Sequence, residues 1–176
     1  PDETRVHLSQ LLTEFEDVLS RTGVPIKHTD AIMHQIDIGD AKPFRKALRQ
    51  QPKALREESD KLLHEMLEQG VVEPTSSPWA SNVVLVRKKD NSLRWCIDFR
   101  QLNSFTKKDA YPLPRIDTCL DALNGAQWFS TMDLRSAYHQ VRLHPDDAEK
   151  TAFVSHHGHY QFRSMPFGLA NAGSMF

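Results

Sequence analysis

The chain has 176 residues, 22 Lys plus Arg against 23 Asp plus Glu, and a formal net charge of -1. That length supports one domain with a sizeable core, or part of a larger one, and the balanced charge excludes a globally basic polyanion binder. Two cysteines with no metal-ligand spacing exclude a disulfide framework and fit a reducing compartment. No apolar run reaches the ~20 residues of a membrane span, and the first residues carry no secretory pattern. The start without Met and the end inside an apolar segment at Ser174-Met175-Phe176 read as a piece of a longer polypeptide.

In chain order, Val6, Leu8, Leu11, Leu12, Phe15, Val18 and Leu19 fall mostly on one face at helical period. Gly23 and Pro25 are expected to end that helix. Residues 24–53 hold Pro25, Pro43 and Pro52 and read as an extended connector with a short strand at Met33–Ile38. A helix is expected over Ala54–Gln69, with Leu55, Leu62, Leu63, Met66 and Leu67 inward and Gly70 at the C′ position. Pro74–Pro78 is a loop. Asn82–Lys88 and Leu93–Phe99 read as a hairpin around Lys89–Ser92. Arg87, Lys88, Lys89, Arg94, Arg100, Lys107 and Lys108 outnumber Asp90, Asp98 and Asp109 here, a local basic patch able to attract phosphate or simply a solvated face.

Tyr111–Pro114 breaks the chain again. A helix is expected over Arg115–Asn124, with Ile116, Cys119, Leu120 and Leu123 inward and Gly125 closing it. Trp128–Asp133 reads as a buried strand that stops at a carboxylate, followed by a helix to about Val141. A hairpin from Thr151–Val154 to His159–Arg163 and a last helix from near Gly168 complete the chain. His156, His157 and His159 match no structural zinc spacing and read as solvated imidazoles at a hairpin tip. No internal repeat or low-complexity tract is present.

A carboxylate at the end of a strand, with Tyr138 five residues on, suits a metal-bound phosphate and its sugar, since magnesium is usually held by one or two carboxylates plus substrate phosphates. Asp133 equally suits the cap of the helix that follows, and Tyr138 equally suits core packing.

Three ordered segments bear on that choice: Val83–Asn103, Phe129–Val141 and Met165–Ala172. In order and spacing they resemble the reverse transcriptase of LTR retrotransposons, especially the gypsy class. The resemblance extends through Gly70–Ser81 and His34–Pro43 and covers roughly residues 34–176. It implies an α+β fold holding the fingers and a partial palm of a right-hand polymerase. An N-terminal helix and connector would span 1–49, fingers 50–108 and 141–171, palm 109–140 and again from 172, with the chain stopping before a second aspartate hairpin and the thumb.

The resemblance also implies nucleotidyl transfer, in which a primer 3′-OH attacks a dNTP on an RNA or DNA template. Asp133 would be the catalytic metal ligand, with Leu134 beside it, for two Mg2+ ions, or Mn2+. The ions of a two-metal site lie ~3.5–4 Å apart, and one aspartate cannot hold both. The family supplies an adjacent pair in a Tyr-x-Asp-Asp signature that this chain lacks, so the chain alone is expected to be inactive. Lys88 would meet the outer phosphates, a role that could shift to Arg87, and Arg94 would lie over the base and α-phosphate. Ser136 and Ala137 would present N–H groups to the triphosphate. Tyr138 would be the steric gate against a 2′-OH, and Phe167 and Gly168 would pack near the sugar and template base. Asp98 and Arg100 read as a structural pair. The expected partners are template-primer, dNTP, and the RNase H and integrase segments of a polyprotein, without a membrane, in the cytoplasm, a virus-like particle or the nucleus. After Ala172 the chain has Gly173-Ser174-Met175-Phe176 where the family commonly has Pro-Ala-Thr-Phe. The competing reading is a retroelement remnant that only binds nucleic acid or a protein partner.

Overall fold

The computed structural model describes residues 2–19, 26–112 and 114–176. Gly23 and Pro25, expected to stop the first helix, and Leu113 of the second breaker lie outside the described residues.

Helix α1 covers Asp2–Glu14, and its apolar positions Val6, Leu8, Leu11 and Leu12, with Phe15 just beyond it, remain about half exposed. Strand β1, Thr29–His34, lies four residues earlier than the expected start at Met33. Its position is set by parallel pairing with β5, Val141–Leu143, a partner too distant to be read locally. Helix α2, Lys53–Glu68, follows the periodic pattern, with Leu63 buried and Leu55, Leu62, Met66 and Leu67 half-buried. It ends where Gly70 adopts φ +67°. The Gly70 N–H donates to Leu67 O and the Val71 N–H to Met66 O, the paired bonds of a Schellman close.

Five strands form the main sheet in the order β2-β7-β6-β3-β4. They are β2 (Val72–Pro74), β3 (Ser81–Arg87), β4 (Leu93–Ile97), β6 (Phe153–Ser155) and β7 (Gly158–Phe162). The β3–β4 pair is antiparallel, with Val83 opposite Ile97 and Val86 opposite Arg94. Its inner face carries Val83, Leu93 and Ile97, all buried. Trp95, on that face, donates from Nε1 to Ser59 Oγ of α2 at 3.1 Å. β6 joins β3 in parallel and β7 antiparallel. Phe153 sits at the centre, fully buried against Trp95, Tyr160 and Phe162. Burying such a ring supplies roughly 1.5–3 kcal/mol.

Short helices join the sheet to the rest. They are α3 (Arg100–Phe105), α4 (Ile116–Asp121), α5 (Pro145–Ala148) and α6 (Ala172–Met175). Three expectations change here. Trp128–Asp133 is in no strand, because a strand exists only through a partner and none among the described residues pairs with it. The helix expected after it is one 3-10 turn, Ala137–Gln140. α4 forms as expected, yet Ile116, Cys119, Leu120 and Leu123 are exposed rather than inward. No helix among the described residues is long and apolar enough to cross a membrane.

Candidate active site

The Phe167–Gly168 segment is held in place by two asparagines. Gly168 has φ +89°, a left-handed conformation that glycine adopts without the Cβ penalty, and that conformation prevents the last helix from starting there. Asn103 of α3 donates from Nδ2 to the Gly168 carbonyl at 2.7 Å and accepts the Ala170 N–H at 2.9 Å. Asn171 donates to the Lys107 carbonyl at 2.8 Å and accepts the Asp109 N–H at 3.1 Å. Helix α6 therefore begins only at Ala172. α3 itself is anchored by buried Leu102 and by the Asp98–Arg100 pair, which is bidentate at 2.8 and 2.7 Å. Hydrogen bonds from Arg100 hold the Asp98 carboxyl well below the usual carboxylate range, with Lys46 at 3.7 Å adding to this. The structural pairing expected for these two residues is present.

Tyr138 lies on this platform. Its ring meets Phe167 edge-on, with centroids 5.0 Å apart and planes at 87°, and meets Phe176 at 5.8 Å. His139 lies nearby, its ring tilted 5.5 Å from Phe167 and edge-on 6.4 Å from Phe162. Burial, with the charge of His28 adding to it, pushes the His139 pKa down to about 4, so the imidazole is neutral at pH 7. The structure thus brings together Tyr138, Phe167 and Gly168, three of the residues singled out by sequence. It adds Asn103, Asn171 and His139, which the sequence reading left unassigned. Asn103 was inside a quoted motif, but no local spacing signals an amide that reaches 65 residues along the chain.

Asp133 stands before this platform in a segment outside any strand or helix, exposed, with Leu134 exposed beside it. It does not cap the following turn: the cap is Ser136, whose backbone is left-handed at φ 49°. The capping alternative for Asp133 is therefore overturned, since its carboxylate precedes the cap by three residues. Ser136 and Ala137 open a turn of four residues, too short to sum the peptide dipoles that a full helix N-terminus directs at an anion.

Asp133 offers a hard carboxylate oxygen and Leu134 a main-chain carbonyl, donors that suit Mg2+. Among the described residues no group of three potential ligands includes Asp133, so these donors fit a share of one ion rather than a complete two-ion site.

Lys88 and Arg94 lie on the β3–β4 hairpin. The Lys88 N–H donates to Ser92 O at 2.9 Å, continuing the ladder by one step, so Lys88 shares the face of Val86 and Arg94. That face is opposite the one buried on α2, and both cations are exposed. Arg87 points the other way and donates to the Asn91 carbonyl at 3.0 Å, which favours Lys88 over Arg87 as the outward cation. No hydrogen bond or ion pair joins either Lys88 or Arg94 to Asp133 or Tyr138 among the described residues.

The family described as "Reverse transcriptase (RNA-dependent DNA polymerase)" matches residues 86–176. The chain is 33% identical over 181 aligned residues to the retrovirus-related Pol polyprotein from transposon opus of Drosophila melanogaster, and 32% identical over 182 to that from transposon gypsy of the same organism. Each alignment covers the whole chain but 18% of the polyprotein. Among solved structures, prototype foamy virus protease-reverse transcriptase is similar over the whole chain with a TM-score of 0.87 at 21% identity, covering 24% of that protein. The foamy viral enzyme in complex with an RNA/DNA hybrid matches 99% of the chain and 24% of its own, with a TM-score of 0.82 at 17% identity. The polymerase fold is thus shared with the viral enzyme, and by the family match over residues 86–176 the chain belongs to the reverse transcriptase (RNA-dependent DNA polymerase) family.

Proposed function

We propose that this chain is the part of an RNA-directed DNA polymerase that receives the incoming dNTP over a template-primer of RNA and DNA. The observation that carries this is the platform of Tyr138 on Phe167 and Gly168, clamped by Asn103 and directly preceded by the exposed carboxylate of Asp133. The foamy viral relative bound to an RNA/DNA hybrid supports the choice of template-primer as partner.

Tyr138 limits the space at the sugar, Phe167 fixes the ring from its edge, and Gly168 lets the backbone approach without a side chain. Lys88 and Arg94 supply exposed cations for phosphates, the Arg as a planar fork and the Lys as a point charge. Asp133 and the Leu134 carbonyl would hold part of the magnesium, which when bound stabilises charge on the reacting phosphate and activates the attacking hydroxyl. Every strand of the main sheet comes from residues 72–97 or 153–162. That supports fingers at 50–108 and 141–171 and palm at 109–140. In the polyprotein, RNase H and integrase segments are the expected neighbours.

Incorporation of dNTP on a primed homopolymer template with Mg2+ or Mn2+ tests the reading. The purified 176-residue chain is expected to incorporate nothing, because no described ligand cluster completes the site around Asp133. A chain lengthened through the remaining palm and thumb should polymerise. Asp133→Asn in that longer chain should abolish incorporation while leaving template binding largely intact, since phosphate contacts dominate affinity. Equal turnover in the two longer chains would remove Asp133 from the site.

A further inference from the structure

The tip of the β6–β7 hairpin exposes His156 and His157, as the spacing suggested for the imidazoles there, but both rings also meet α2. Ser155 pairs with Gly158, so the turn consists of His156 and His157 alone. The Ser155 hydroxyl accepts the His157 N–H at 3.2 Å and steadies it. The two rings lie side by side, centroids 4.1 Å apart and tilted by 40°. Their Nε2 atoms converge on one oxygen of α2: His156 Nε2 is 3.0 Å and His157 Nε2 is 2.9 Å from Asp60 Oδ1. Both walls of this junction are rigid. Asp60 follows Ser59, which is buried and bonded to Trp95, and Leu63 of the same helix sits in the core. The hairpin is anchored by the buried Phe153 and Phe162.

The contact is close but is not a set of hydrogen bonds. Asp60 Oδ1 is buried and accepts no aligned N–H, although two ring nitrogens stand within 3.0 Å of it. A buried acceptor left without a donor costs about 1–3 kcal/mol. Two imidazole nitrogens and a carboxylate oxygen are also a familiar ligand set for zinc. With bonds of about 2.0–2.2 Å, tetrahedral neighbours lie about 3.3–3.4 Å apart. Small side-chain rotations would open the observed separations to that spacing. The third imidazole of the hairpin is already committed, because His159 Nε2 lies 2.8 Å from the Trp79 carbonyl oxygen. Asp60 also faces a cavity of about 520 Å³ that His64, His157 and Tyr160 line. It leaves room for a water as fourth ligand. His64, one turn along α2 and now 3.2 Å from Glu68, is the nearest protein alternative.

We propose that Asp60, His156 and His157 bind one divalent transition-metal ion of the zinc class, which ties the β6–β7 hairpin to α2. Imidazole donors select zinc, copper or nickel over magnesium, which prefers oxygen alone. The site is therefore chemically separate from the magnesium chemistry proposed around Asp133.

The test uses the tag-free 176-residue chain, with Zn2+ measured by competition against a chromophoric chelator and Co2+ by its visible absorption. One equivalent should bind, with the Co2+ spectrum of a low-coordinate site, and excess Mg2+ should not displace it. Asp60→Asn, His156→Gln and His157→Gln should each weaken Zn2+ by more than roughly tenfold, the loss that even a supporting partner causes, whereas His159→Gln should match the wild type. Because a variant could fail to fold, the ring 15N resonances of His156 and His157 are followed in the unaltered chain during Zn2+ addition; both Nε2 signals should shift together and saturate at one equivalent. Absence of saturable binding, unmoved ring signals, or equal affinity in all four variants would overturn the site.

Discussion

His139 is a half-buried residue with a charge at stake. Its folded pKa of about 4 lies below the ~6.5 of an unfolded histidine. Between those values the unfolded chain binds the extra proton, so stability is fully present above about pH 6.5 and falls as the pH drops towards 4. Allowing for partial exposure, we expect a loss of about 2 kcal/mol between pH 7.5 and pH 4.5 from this residue. Urea midpoints at the two pH values measure it. His139→Gln should flatten the slope without removing it, since burial also lowers the pKa of His28 and His34. At Tyr138, sugar discrimination is at issue. In a polymerising longer chain, Tyr138→Val should reduce the preference for dNTP over rNTP in kcat/KM by roughly tenfold or more, while Tyr138→Phe keeps it. An unchanged ratio for the Val variant would return Tyr138 to simple packing against Phe167.

Between α3 and the 168–171 loop, two amide side chains, Asn103 and Asn171, add specific hydrogen bonds to the burial of Leu102 and Leu169. Asn103→Ala removes two hydrogen bonds and should cost about 1–2 kcal/mol. Hydrogen exchange at Ala170 should accelerate while β3 and β4 stay protected; equal rates would show that Phe167 and Gly168 are held by other means. Sequence made the β3–β4 hairpin legible because its alternation and its short polar turn agree. It made α2 legible because a 3.6 period ends at Gly70. It did not reveal α3, which is six residues long and too short to show a period. It misplaced the last helix because the left-handed Gly168 is set by Asn103, far away in the chain. For Trp128–Asp133 the expected strand is absent, because pairing is a property of two segments and cannot be read from one. The candidate site divides the same way: Tyr138, Phe167 and Gly168 were legible as motif positions, whereas their clamp and the Asp60–histidine junction exist only in three dimensions.

The whole molecule has a well-packed sheet and a segment that packs on nothing described. Trp128 and Met132 are each 92% exposed, and Phe129 and Leu134 more than half. Hydrogen exchange should be fast through 126–134 and slow in β3, β6 and β7. In a longer polymerase chain the same amides should gain protection as a partner strand covers them. Slow exchange there in the 176-residue chain, measured on a monomer, would show that the segment already has a partner. A run of exposed apolar residues with unpaired backbone groups also templates association, so solubility should improve in the longer chain.

The sheet order has a kinetic meaning. β2 is formed early in the chain, yet its neighbour is β7, and the Ile36 N–H donates to the Asp147 carboxylate 111 residues away. Loop closure must be completed before such contacts repay it, which slows folding. On a ribosome adding about 5–20 residues each second, the β3–β4 hairpin and α2 would wait several seconds for β6 and β7. During that interval the faces of Val83 and Trp95 lack the Phe153 that later covers them. A nascent chain of this kind is a natural client for a chaperone that binds apolar strands, and its demand should end once Phe162 has left the exit tunnel.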